Sequence, residues 1–160
     1  MQAKAPEIIR ILSFFALGGL LMFLIQPILY QNQIFFISDQ PPEIWISNEY
    51  IPGTTLVFLV SASAAIAWYF WSARAKIASA EQVQGWKLMW WLIGLFPVIS
   101  IGVAIATYNT SPDGLTTLAF LYPIDVFLLY WIPTATSSPA PVKYLPPLSV
   151  FLRPLFEPGS

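Results

Sequence analysis

Residues 115–132, which read LTTLAFLYPIDVFLLYWI, form an apolar run with a single acid, Asp125, near its centre. An α-helix rises ~1.5 Å per residue, so about 20 apolar residues cross the ~30 Å hydrocarbon core of a bilayer. The run therefore predicts a transmembrane helix that carries a carboxyl group close to the midplane.

The composition of the whole chain supports a membrane location. Of 160 residues, 57% are hydrophobic and only 9% are charged, whereas soluble globular domains carry roughly 25% charged residues. The length suits one domain. The net charge of −1 gives no basic excess for binding a phosphate backbone, so nucleic acid is excluded as a partner.

The chain contains no Cys and no His. Disulfides, Cys-ligated clusters, His-ligated haem or zinc and Ser-His-Asp triads are therefore excluded within it. The glycines form neither a dinucleotide-binding nor a phosphate-loop pattern. We expect a non-enzymatic protein with no metal site and no evident cofactor, while contact with a lipid, a quinone or a pigment stays open.

Three further apolar runs precede residues 115–132 in the chain. Together the four runs predict an all-α fold, a bundle of four transmembrane helices with short antiparallel connections between the last three. The expected spans are residues 8–30, 54–73, 88–108 and 115–133. Gln26 and Pro27 mark the outer end of the first span, and Pro97 bends the third.

The C-terminal tail, residues 134–160, is too rich in proline to form a fifth span. Its leucines and phenylalanines are too apolar for a freely solvated segment. We therefore divide the chain into a transmembrane domain, residues 1–133, and a tail on the inner side that lies on the membrane surface or on a partner subunit.

Small residues predict where helices pack closely, because packing drives helix association inside lipid. They occur in three of the expected spans. The positions are Gly18 and Gly19 in the first span, Ala65 (four residues after Ser61) in the second, and Gly102 with Ala106 in the third.

The connection between the first two spans, residues 31–53, is the longest one. Pro41-Pro42 and Pro52-Gly53 predict interruptions of any continuous helix there. Its aromatic residues either rest in the lipid headgroup region or serve as docking anchors for a partner protein. These residues are Phe35, Phe36, Trp45 and Tyr50.

Asp125 is the candidate functional residue. A charged carboxylate facing lipid costs ~2.5–3.5 kcal/mol or more, so we expect it to face the bundle interior as a neutral acid that donates a hydrogen bond. Its expected partners form an intramembrane polar cluster at similar depth, Ser61, Ser63 and Ser100, or are carbonyls freed by prolines. The cluster either locks the helices together or handles protons or ions.

Charge distribution predicts the orientation. All seven lysines and arginines fall on one side of the four-span arrangement, which places both termini in the cytoplasm or stroma. Six of the seven tryptophans cluster at the same side. They form either an aromatic belt or a lateral surface for a pigment, quinone or lipid.

The sequence favours a subunit, assembly factor or accessory scaffold of a larger membrane complex, with membrane lipids and other membrane subunits as partners. The alternative is a small transporter or a proton- or ion-conducting protein centred on Asp125. The Trp- and Pro-rich composition without His or Cys resembles that of small accessory proteins of photosynthetic membranes. This resemblance implies a thylakoid location as an alternative to the plasma membrane.

The orientation is tested with cysteines introduced singly into this Cys-free chain, at Ser47 and at Ser79. We expect an impermeant thiol reagent to label them from opposite sides of the membrane. Labelling of both from the same side contradicts the four-span arrangement.

Overall fold

The computed structural model describes residues 5–156, and this part of the chain contains α-helices and no strand. Four helices are long and apolar enough to cross a membrane, which confirms the predicted all-α bundle of four transmembrane helices. These are α1 (Ala5–Gln31), α2 (Pro42–Ser72), α3 (Ala80–Tyr108) and α4 (Pro112–Ser137). A short 3₁₀ turn at Ala140–Val142 leads to a last helix, α5 (Ser149–Phe156).

Successive long helices run antiparallel, and the bundle therefore has two distinct ends. We call the end formed by residues 32–41 and 109–111 the loop end. The opposite end carries the start of α1, residues 73–79 and the tail, and we call it the terminal end. The lysines and arginines of the described residues all lie at the terminal end.

Helix α2 corrects the sequence-based boundaries most strongly. It begins at Pro42 instead of residue 54, and Pro52 and Gly53 lie inside it instead of forming a turn. Pro42 is tolerated there because the N–H groups in the first turn of a helix have no hydrogen-bond acceptor within the helix. Helix α3 likewise begins earlier than predicted, at Ala80, where the Ser79 side chain accepts a hydrogen bond from Gln82 N.

Proline is accommodated inside the helices by widened, π-helical turns. Each widened turn ends two residues before a proline, which lacks an N–H and whose ring would otherwise collide with the preceding turn. The turns are Leu21–Ile25, Ile46–Tyr50 and Phe127–Trp131, and the prolines are Pro27, Pro52 and Pro133. The same sequence feature that predicted helix ends therefore changes the helical pitch instead.

Small residues have two different roles. Gly18 is buried where the Leu129 side chain approaches its backbone, and Gly19 lies against Phe58. Ala65 is buried inside the bundle. In contrast, Gly102 and Ala106 are exposed on α3, and a side chain at Gly102 would meet nothing within 4 Å. The predicted close contact at this pair is not made by any of residues 5–156.

The tail packs on the terminal end of the bundle. Val142, Ser149 and Arg153 are buried there, and Arg153 Nη2 donates a hydrogen bond of 2.7 Å to the Ser138 carbonyl. Trp131 Nε1 donates to the Pro147 carbonyl at 2.9 Å. The tail therefore contributes a few buried side chains to the bundle, whereas Phe151 and Leu155 stay exposed. Contact of the tail with a membrane surface or a partner stays a prediction.

We expect Gly53→Ala to destabilise the bundle by ~1–3 kcal/mol, because the new methyl group would lie 2.7 Å from Tyr122 Oη in a packed interior. Gly102→Ala is the matched control. It meets open space and removes a helical glycine, so it is neutral or stabilising by up to ~1 kcal/mol. Thermal unfolding in detergent measures both, and equal stability of the two variants would contradict this packing.

Candidate functional site

Asp125 is fully buried in the bundle interior, on α4. Its Oδ1 accepts a hydrogen bond of 2.8 Å from the side-chain amide of Gln26 on α1. Gln26 is also buried, and it is the first residue after the widened turn Leu21–Ile25. The carboxyl group is therefore held by an amide from another helix instead of by a base.

Gln26 also connects to α2, because its Oε1 accepts a hydrogen bond of 2.5 Å from the hydroxyl of Tyr50. The same hydroxyl lies 2.8 Å from the carbonyl oxygen of Met22. This carbonyl lacks its helical donor, since the widened turn pairs each carbonyl with the fifth residue onward and that residue is Pro27. One polar side chain thus joins α1, α2 and α4.

Three fully buried tyrosines contribute hydroxyl groups to the same interior. They are Tyr30, Tyr50 and Tyr122, from three different helices. Thr54 Oγ1 lies 3.4 Å from Tyr122 Oη. We call this set the buried polar cluster, and its members are Gln26, Tyr30, Tyr50, Thr54, Tyr122 and Asp125.

Two oxygen atoms of the buried polar cluster have no hydrogen-bond partner, Asp125 Oδ2 and Tyr30 Oη. A buried polar group without a partner typically costs ~1–3 kcal/mol. No cation faces Asp125 within the described part of the chain, since its lysines and arginines lie at the terminal end. A proton on the carboxyl group removes the uncompensated charge, so the arrangement suits reversible proton binding.

The expected partners of Asp125 are not the observed ones. Ser61 is buried, but its Oγ has no partner; Ser63 is exposed; and Ser100 Oγ donates to the Pro97 carbonyl of its own helix at 2.7 Å. The depth estimate failed because it counted residues from a span beginning at 54. With α2 beginning at Pro42, Tyr50 and Thr54 lie at the level of Asp125 instead.

The four aromatic residues that were expected to dock a partner differ in their burial. Trp45 and Tyr50 are fully buried, with ring centroids 4.5 and 5.5 Å from that of Tyr30, so they cannot act as exposed anchors. Phe35 is partly buried against Tyr30, and Phe36 alone of the four is 60% exposed. The error follows from assigning residues 42–53 to a loop, where burial is not expected.

The tryptophans at the terminal end are more than an interfacial belt. Trp68 Nε1 donates to Ser138 Oγ at 2.8 Å, and Trp90 Nε1 donates to Thr134 Oγ1 at 3.0 Å. Both indoles are fully buried, whereas Trp71 and Trp91 are exposed. The buried members therefore fasten α2 and α3 to the end of α4.

Acidic side chains close the loop end through hydrogen bonds. Glu49 accepts from the backbone N–H and the hydroxyl of Thr110, each at 2.7 Å, and from Gln40 at 2.6 Å. Asp113 accepts from the backbone and side chain of Ser38. The carboxylates of Glu49 and Asp113 therefore connect the two loops of the loop end.

An apolar groove of 410 Å³ opens laterally between α2 and α3. Its lining includes Leu59, Ser63, Trp71, Ile93 and Phe96. The groove has almost no polar surface. It is compatible with a lipid chain, and contact with a quinone or pigment stays a prediction.

Residues 5–156 contain no group of three or more His, Cys, Asp or Glu side chains positioned to hold a metal ion. No protein-family profile, curated protein or solved structure matches this chain. The class of the protein is therefore defined by its fold, a four-span integral membrane protein with a polar cluster buried in its interior.

Two variants of Asp125 test the hydrogen bond to Gln26. Asp125→Asn keeps an oxygen that accepts from the Gln26 amide, so its stability should fall by less than ~1 kcal/mol. Asp125→Leu leaves a buried amide unpaired and should destabilise by ~1–3 kcal/mol. Thermal unfolding in detergent gives the ranking, and a leucine variant as stable as the asparagine variant contradicts a structural role for this bond.

Proposed function

We propose that the chain is a non-enzymatic subunit, assembly factor or accessory scaffold of a larger membrane complex. The observation that supports this proposal best is the uncovered pair of small residues on α3. Gly102 and Ala106 are exposed, one helical turn apart, and the space beside Gly102 is open within 4 Å. Their neighbours Ile99 and Val103 are exposed as well.

A glycine on a lipid-facing surface is informative because lipid chains gain nothing from it. Glycine costs about 1 kcal/mol relative to alanine in a helix, whereas a second helix gains close backbone contact at a small-xxx-small pair. Within the chain, Gly18 and Ala65 already serve this purpose at internal contacts. The pair on α3 is therefore available for a helix of another subunit.

The surface of α1 supports the same function. Most of its apolar side chains point away from the other helices, including Leu12, Leu17 and Leu24. The most apolar part of α1 is the least buried of the four long helices. Such a helix offers contact area to lipid or to a neighbouring subunit, and it presents no reactive side chain to either.

We also propose that the terminal end faces the cytoplasm, or the stroma in a thylakoid membrane. The support is the concentration of lysine and arginine at this end, in accord with the positive-inside rule. The plasma membrane and the thylakoid membrane both fit this arrangement.

Gly102→Leu tests the proposed interface. The leucine meets open space in the isolated chain, so its thermal stability should change by less than ~1 kcal/mol, but it separates two helices packed at this pair. In mild-detergent native electrophoresis with mass spectrometry, we expect the wild-type chain to migrate with fixed partners and the variant to lose them.

Gly85→Leu is the matched control, because Gly85 is also exposed in α3 with open space around it but lies outside the small-residue pair. It should keep the partners. A wild-type chain that migrates alone after mild extraction would contradict the proposed function. If the Gly102→Leu variant keeps the same partners as the wild-type chain, the interface must lie on another face of the bundle.

A further inference from the structure

We propose that the face between α2 and α3 binds one phospholipid with a negatively charged headgroup. An acyl chain lies in the lateral groove, and the phosphate group lies in a second cavity of 410 Å³ at the terminal end. We call this second space the terminal-end cavity, and its lining is formed by Lys76, Gln82, Gly85, Trp86 and Met89. The proposal goes beyond a role as a subunit, because it assigns a ligand and a binding site to the chain itself.

The lateral groove and the terminal-end cavity open on the same side of α3. Residues three or four apart lie on one face of a helix, and residues with this spacing run from one space to the other. They are Gln82, Trp86 and Met89, which line the terminal-end cavity, and Ile93 and Phe96, which line the groove. Met89 and Ile93 are one helical turn apart, so a single molecule can extend from the cavity into the groove.

The length of the lateral groove matches one leaflet of a bilayer. Along α2 its lining runs from Trp71 back to Leu59, twelve residues away, which is ~18 Å at ~1.5 Å per residue. The hydrocarbon core of one leaflet is half of ~30 Å, or ~15 Å. Trp71 is exposed near the end of α2, where an indole favours the headgroup level. A groove that begins at this level and ends near the midplane suits an acyl chain of the leaflet on the terminal side.

The terminal-end cavity suits a phosphate group because its lining supplies a cation and an amide. Lys76 contributes an ammonium group, which binds phosphate as a point charge. The Gln82 side chain accepts a hydrogen bond of 2.7 Å from Ala78 N through its Oε1. The Nε2 of Gln82 is therefore the part of this amide that can donate to a ligand.

The charges at the terminal-end cavity favour an anionic lipid over a zwitterionic one. Among residues 5–156, no carboxyl group lines this cavity, so nothing there would pair with the ammonium group of a choline or ethanolamine headgroup. Glu81 is exposed in the same turn of α3 but is not part of the lining. The other lysines and arginines of the terminal end attract anionic lipids to the same leaflet.

The experiment is native mass spectrometry of the full chain, stripped of bound lipid in detergent and then titrated with phosphatidylglycerol or with phosphatidylcholine of identical acyl chains. We expect one molecule of phosphatidylglycerol to bind. Its affinity should exceed that of phosphatidylcholine about tenfold, because a hydrogen bond to a charged group contributes roughly this factor.

Lys76→Gln tests the headgroup contact. It removes the charge and keeps a polar side chain, so the affinity for phosphatidylglycerol should fall about tenfold, to the level of phosphatidylcholine. Lys87→Gln is the matched control. Lys87 is exposed on α3 at the same end but does not line the terminal-end cavity, so this variant changes the net charge equally and should bind phosphatidylglycerol like the wild-type chain.

Ala67→Leu tests the lateral groove. Ala67 is exposed in the lining of the groove, so a leucine there occupies the groove without entering the packed interior. Binding of both lipids should be lost. Ala16→Leu is the matched control, because Ala16 is exposed on α1, outside the lateral groove, and this variant should bind phosphatidylglycerol like the wild-type chain.

Equal affinity of the wild-type chain for the two lipids would overturn the headgroup contact. Equal losses in Lys76→Gln and Lys87→Gln would show attraction to positive charge in general and would overturn the site. Unchanged lipid binding in Ala67→Leu would overturn the acyl-chain contact, and the loss of a quinone or of a protein partner in that variant would identify a different occupant of the groove. The lipid titration uses the isolated chain, so its result does not depend on whether partner subunits are found.

Discussion

The hydrogen bond between Gln26 and Asp125 is the interaction on which the interior of this bundle depends. In lipid, no water is available to replace a lost partner, so a carboxyl group at this depth needs one from the protein. Gln26 supplies it and at the same time accepts from Tyr50, which joins three helices through one amide. The helices are therefore fixed in rotation about their axes by a few polar atoms, within an otherwise apolar and weakly directional packing.

The prolines make this geometry attainable. A widened turn rotates all later side chains relative to a regular α-helix, and three helices contain such a turn next to the buried polar cluster. In α1 the turn ends directly before Gln26, and in α2 it ends at Tyr50. The carbonyl freed at Met22 lies 2.8 Å from the Tyr50 hydroxyl, whose single proton it shares with Gln26 Oε1. Pro27 thus removes a backbone hydrogen bond and supplies an acceptor at the place where a donor from α2 arrives.

The sequence was sufficient for the number, order and approximate position of the helices, because apolar runs of the length of a bilayer have few other interpretations. It failed at Pro52-Gly53, a pair that is typical of a turn but lies inside a helix here. This one error assigned Tyr50 to a loop and placed Thr54 at the very start of a span. The partner of Asp125 was then sought among serines. The one sequence signal for the true partner, Gln26, was an amide side chain near the end of an apolar run. The absence of a hydrogen-bond partner at Asp125 Oδ2 and Tyr30 Oη could not be predicted, because it depends on side-chain orientation and the spacing of residues in the sequence carries no information on that.

The packing of the tail at the terminal end also means that some hydrogen bonds of the bundle form only after all four spans are present. Arg153 and Pro147 are among the last described residues to be synthesised, yet they bond to Ser138 and to the Trp131 indole at the end of α4. Until they arrive, the Ser138 carbonyl and the partly buried Trp131 indole lack these partners. A chain that lacks residues 140–156 still contains all four long helices, but its terminal end is unfinished. The tail is therefore part of the fold, because it supplies the last hydrogen bonds of a bundle whose spans all precede it.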